Sequence, residues 1–117
     1  MTVTELHAAL YREVSARAYI RRLDMFDLTA SLLKARLMIT SQLFVQIYRN
    51  DRFDTTNFPL IYNGRRIFGR DQLGGQWHRH PVEAPYRHDG SEEGRRPARL
   101  GGFLNEIESI LARKNLP

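Results

Sequence analysis

Apolar positions recur along the chain first at helical and then at strand spacing. Leu6, Leu10 and Val14 follow every four residues behind Thr2-x-x-Glu5, a capping box, so a first helix is expected over about residues 3–16. From about Ala18 that period is lost. Tyr19, Ile20, Leu23, Met25 and Phe26 suit a longer helix or a strand, and strand is the better reading. In residues 31–40, Leu33, Ala35, Leu37 and Ile39 occupy odd positions while Lys34 and Arg36 occupy even ones. In residues 43–50, Leu43, Val45 and Ile47 alternate with Phe44, Gln46 and Tyr48. Both are strands with one buried face, and Ser41-Gln42 supplies a tight turn between them.

Asn63-Gly64 is a hairpin signal, because both residues tolerate positive φ. It joins strands at 58–62 and 65–70. Pro59 lacks an N–H, which places its strand at a sheet edge or at its own start. If Ile67 points into the core, Arg66, Phe68 and Arg70 share the opposite face. Gly74-Gly75 interrupts the pattern before Trp77-His78-Arg79-His80-Pro81, and residues 86–99 read as a polar, mobile loop. The stripe Phe103, Leu104, Ile107, Ile110 and Leu111 marks a closing helix over about 102–114, with Glu106 and Glu108 ahead of Arg113 and Lys114 as the helix dipole favours. The expected fold is α+β and a single domain over 1–117. An N-terminal helix, an antiparallel sheet of four to five strands over about 18–81, and a C-terminal helix packed on one face compose it.

Charge adds a partner class. The 117 residues carry a net charge of +5, and 16 of the 18 basic residues are arginine, whose planar fork suits phosphate oxygens. The competing reading is a solvated Arg-rich surface. There is no cysteine, which excludes thiol nucleophiles, disulfides and Cys-type zinc sites and fits a reducing compartment. No signal-peptide pattern or membrane-length apolar run occurs, so the expectation is a soluble, cytoplasmic protein without a membrane partner.

On these registers the uncovered sheet face presents Lys34, Arg36, Gln46, Tyr48, Arg66, Phe68 and Arg70, with few acids. Cations interleaved with aromatics suit single-stranded nucleic acid, although any half-buried sheet shows polar alternation. Three of the four histidines, His78, His80 and His88, fall within eleven residues. His78 and His80 project to one side of an extended segment. Imidazoles can act as base and acid in metal-free RNA cleavage, with Arg36, Arg66 or Arg70 balancing phosphate charge. Two other readings stand beside this one: a zinc site using His78, His80 and either His88 or Asp71, and histidines that brace a turn beside Trp77. His7 reads as a surface residue, Trp77 as a core anchor, and Glu92-Glu93 with Arg95-Arg96 as a solvated loop.

The succession Lys34–Arg36 (KAR), Phe44–Asn50 (FVQIYRN), Arg66–Asp71 (RIFGRD), Gly74–Pro81 (GGQWHRHP) and His88, with the helix FLNEIESIL at 103–111, resembles the TumE-like toxins of bacterial toxin–antitoxin pairs. The resemblance covers about residues 30–111, and its specific part is the WHRHP block with GRD before it. It implies a cytoplasmic toxin acting on cellular RNA and a cognate antitoxin with a helix-turn-helix DNA-binding domain. It places function at Lys34, Arg36, Asp71, His78, His80 and His88.

The combined expectation is a metal-independent endoribonuclease toxin without cofactor. His78, His80 and His88 would supply acid and base, Arg36 and Arg70 phosphate stabilisation, and Asp71 orientation of a histidine or arginine. Lys34, Tyr48, Arg66 and Phe68 would bind RNA. The alternatives are a non-catalytic RNA- or protein-binding growth inhibitor and a zinc-dependent hydrolase. A homodimer is compatible with the chain, but no interface is legible.

Overall fold

A computed structural model describes residues 1–116. The described residues form one antiparallel sheet of six strands and three helices, an α+β architecture. The order is α1 (Val3–Ser15), β1 (Arg22–Leu28), β2 (Leu32–Met38), β3 (Leu43–Asn50), β4 (Thr55–Tyr62), β5 (Arg65–Leu73), β6 (Gln76–His80), α2 (Glu92–Arg95) and α3 (Leu100–Arg113). The strands follow one another across the sheet in chain order, β1 to β6. Helices lie near both ends of the chain, as expected. The sheet has six strands rather than four to five.

The local signals act as chemistry requires. Thr2 is extended, its hydroxyl accepts from the Glu5 amide, and the Glu5 carboxylate accepts from the Thr2 amide. Both Asp51 carboxylate oxygens accept from the Val3 amide at 3.1 Å, which ties the positive end of α1 to the end of β3. Ser41-Gln42 turns β2 into β3, with paired bonds between Thr40 and Leu43. Asn63 and Gly64 have φ of 50° and 79°, the doubly left-handed pair of a tight hairpin.

Pro59 departs from both expected places, since it stands inside β4 rather than at its start and β4 lies between β3 and β5. Its missing N–H is accommodated by a gap. The β3–β4 ladder pairs Val45 with Leu60 and Tyr48 with Asn57 but makes no pairing at Pro59. On the other side Pro59 pairs with Gly69, whose absent Cβ would stand 3.2 Å from the Phe58 carbonyl oxygen. The sixth strand arises because Gly74-Gly75, both at positive φ, make a hairpin turn that pairs Gln76–His80 with β5.

Both long helices pack on one face. Leu6 and Leu10 of α1, and Phe103, Leu104, Ile107 and Ile110 of α3, join Leu33, Leu37, Val45, Ile47, Phe58 and Leu60 in one core. Trp77 belongs to it as well, as its reading as an anchor required. The Tyr19 hydroxyl donates to the Leu104 carbonyl at 2.6 Å, and burial pushes its pKa up to about 12. Because the folded value exceeds the unfolded one of about 10, the stability it contributes is complete below pH 10 and is lost as pH climbs towards 12. Denaturant melts at pH 9 and pH 11 are therefore expected to separate wild type from Tyr19→Phe, the variant losing less on the alkaline side. Equal losses would remove this role.

Candidate active site on the helix-free face

Strand pairing decides which side chains meet. In the β5–β6 ladder Asp71 pairs with His78, Gly69 with His80, Arg70 with Arg79 and Gln72 with Trp77. Paired residues share a face. Trp77 and Gln72 therefore go to the helix side with Arg70, while Asp71, His78 and His80 emerge on the other. A bulge adds Arg66. Leu60 pairs with Phe68 but Ile61 with Arg66, so β5 advances two residues against one and Ile67 is the extra residue. Arg66 is thereby turned to the helix-free face. There its Nη1 donates to Asp71 Oδ2 at 3.0 Å and its Nη2 to Asn57 Oδ1 at 2.9 Å.

His88 reaches the same place from the loop beyond β6. Arg79 and Asp89 exchange two backbone bonds, and the Arg79 guanidinium donates twice to Asp89 Oδ2, at 2.6 and 2.9 Å. The Ser91 hydroxyl and amide, followed by Arg79, hold the Asp89 pKa below the usual carboxylate range. This clamp folds the loop back so that the three imidazole centroids lie 4.5, 4.5 and 5.3 Å apart. Loop residues 86–99 are thus structured in part, with α2 inside them.

Within the cluster, His80 Nδ1 lies 2.8 Å from the Pro85 carbonyl oxygen. Since that oxygen can only accept, Nδ1 carries the proton. His80 Nε2 is then 3.0 Å from Asp71 Oδ2, and His78 Nε2 is 3.6 Å from the same oxygen. Burial lowers the His78 pKa, Asp71 opposes this, and His88 and His80 reinforce it. His78 and His88 also line a surface cleft with Gln76, Gly90 and Arg95. Arg95, read from the sequence as part of a solvated loop, therefore joins the candidate site, as does the Pro85 carbonyl. No local pattern marked either one.

Other expected site residues go elsewhere. Arg70 and Phe68 are on the helix side, the reverse of the expected placement, because Ile67 is spent on the bulge. Phe68 is buried and stacked on Phe103 at 5.9 Å, so it cannot stack on a base. The Arg70 guanidinium is buried, donating to both Glu106 oxygens at 2.9 and 3.0 Å and to the Glu93 carbonyl at 3.0 Å. Replacing it with methionine is expected to cost about 2 kcal/mol, the scale of hydrogen bonds to charged groups. The folded variant should keep the cluster chemistry, and a large loss of activity without loss of stability would return Arg70 to the site.

Lys34, Arg36, Gln46 and Tyr48 do face outward on β2 and β3. Lys34 Nζ sits 5.9 Å from the Tyr48 centroid, and Arg36 lies between Phe26 and Phe44 at 5.2 and 4.6 Å. Two findings change their role. β2 is four strand steps from β6, about 19 Å, so Arg36 cannot touch a phosphate held at the histidines. β1 also sets Asp24 beside Arg36 and Asp27 beside Lys34, so acids do lie close to these cations. His7 stands apart on α1 against Tyr11.

Comparison with family models, with curated proteins and with solved structures finds no match.

Proposed function

We propose that the chain is an RNA-cleaving toxin of a toxin–antitoxin pair, with its phosphodiester chemistry at His78, His80 and His88. The carrying observation is the convergence of three imidazoles, Asp71 and the Arg66 guanidinium on the one sheet face the helices leave uncovered. Cleavage by a neighbouring 2′-hydroxyl requires its proton removed, charge on the phosphoryl oxygens balanced and the leaving 5′-oxygen protonated. The imidazoles supply proton-transfer groups, and Arg66 takes the phosphate role that the sequence assigned to Arg36 and Arg70. Asp71 orients Arg66 through their 3.0 Å bond. Lys34, Arg36 and Tyr48, with Phe26 and Phe44, hold the strand several nucleotides from the cut, using charge and stacking.

The resemblance at KAR, GRD and WHRHP supports the toxin role, a cytoplasmic site of action and a helix-turn-helix antitoxin as partner. Among the described residues no helix is long and apolar enough to cross a membrane. The test is digestion of a mixed RNA by the purified full chain, as isolated and after chelation, beside His78→Ala/His80→Ala. Wild-type cleavage that the double variant lacks is the expected result. RNA bound but left intact by wild type in every metal condition would replace the nuclease with a binding inhibitor.

A further inference from the structure

The histidine cluster carries more than proton transfer. We infer that His78, His80 and His88 bind a divalent transition metal of the zinc class, with the Asp71 carboxylate as the anionic fourth group. The argument begins from lone pairs. His80 spends its one proton on the Pro85 carbonyl, so a neutral ring aims the Nε2 lone pair towards Asp71 Oδ2, 3.0 Å away. Arg66 donates to that same oxygen at 3.0 Å, but no donor serves the Nε2 lone pair. Nε2 and Oδ2 make no hydrogen bond despite their distance.

The surroundings repeat the problem. His78 Nε2, His80 Nε2 and Asp71 Oδ1 are all buried with no hydrogen-bond partner among the described residues. Buried polar atoms left unpaired are rare and costly. A single water offers two protons, whereas a cation serves every lone pair aimed at it.

Distances agree with that occupant. A tetrahedral ion bound at about 2.0–2.1 Å sets its ligand atoms about 3.3 Å apart. The carboxylate-to-imidazole distances of 3.0 and 3.6 Å bracket this value. One nitrogen from each imidazole lies within 4.8 Å of the others, and His88 is exposed on a loop. The supporting shell is also present: Pro85 orients His80, Arg66 fixes Asp71, and the Arg79–Asp89 clamp brings in His88. Three imidazoles and one carboxylate favour zinc, nickel, copper or iron over magnesium or calcium.

With the ion bound, the three imidazoles would be its ligands, and the proton-transfer role proposed for them above would give way to Lewis-acid polarisation of a phosphoryl oxygen. The binding site itself stands on geometry and does not depend on RNA being the substrate.

The experiment uses the full chain stripped of metal by a chelator and verified by elemental analysis. It is titrated with Zn²⁺ by calorimetry and with Co²⁺ by visible absorption. One ion per chain is expected, with the absorption of low-symmetry four-coordinate cobalt. His88→Ala, an exposed change that leaves the core intact, should weaken binding by at least about 100-fold, beyond the roughly 10–100-fold typical of an outer-shell partner. Asp71→Asn should weaken it as well, while His7→Ala should not. No binding, or binding indifferent to His88→Ala and Asp71→Asn, overturns the site. Metal binding without RNA cleavage upholds the site and removes the ribonuclease. RNA cleavage by protein that binds no ion overturns the site and leaves the ribonuclease standing.

Discussion

Replacing His80 with alanine is expected to reduce RNA cleavage by about 10²- to 10⁴-fold if the ring transfers a proton, the range for a positioned proton-transfer group. His80 is the most constrained member of the cluster. Its side chain is 7% exposed, its Nδ1 is held by Pro85, and its Nε2 faces Asp71. It cannot be replaced by a shift of His78 or His88, whose positions are set by β6 and by the Arg79–Asp89 clamp. Because His80 is buried, misfolding is the competing cause of any loss. His88→Ala provides the check, since His88 is exposed and its removal disturbs the cluster without opening the core. Cleavage by folded His80→Ala at the wild-type rate would take the chemistry away from this face.

Phe103→Ala is expected to destabilise the fold by about 3–5 kcal/mol, the usual cost of deleting a buried phenyl ring. Phe103 is 1% exposed and packs against Phe58 and Phe68 at 5.3 and 5.9 Å, at the seam where α3 meets β4 and β5. Equilibrium denaturation measures the loss. A cost below about 1 kcal/mol would mean that α3 contributes little to the core and would reopen Phe68 as a surface aromatic. Since the cluster is on the far side of the sheet, whatever fraction stays folded should keep its chemistry.

Much of the fold was legible because burial of a single face imposes a period on the chain. The stripe from Phe103 to Leu111 is buried as its spacing required, and so are Leu33, Ala35, Leu37, Leu43, Val45 and Ile47. The Thr2–Glu5 capping box and the Asn63-Gly64 turn were equally readable, since each depends on residues within three or four positions of one another. Strand β6 was not counted because Gln76–His80 has no apolar alternation, and only its ladder with β5 makes it a strand. Alternation also failed at Ile67, where one extra residue reversed the faces expected for Phe68 and Arg70.

The candidate site divides in the same way. That His78 and His80 share a side follows from their spacing in an extended segment. That Asp71 lies between them and Arg66, that His88 returns to them, and that Arg36 does not reach them are consequences of pairing between distant segments. By itself the sequence determined the elements, the hairpin turns, the buried stripes and the residue types available for chemistry, because each rests on interactions a few residues apart. Ladder register, the bulge in β5 and the Arg79–Asp89 clamp join residues that no local period relates. Only the tertiary structure could therefore decide which imidazoles, carboxylate and guanidinium converge.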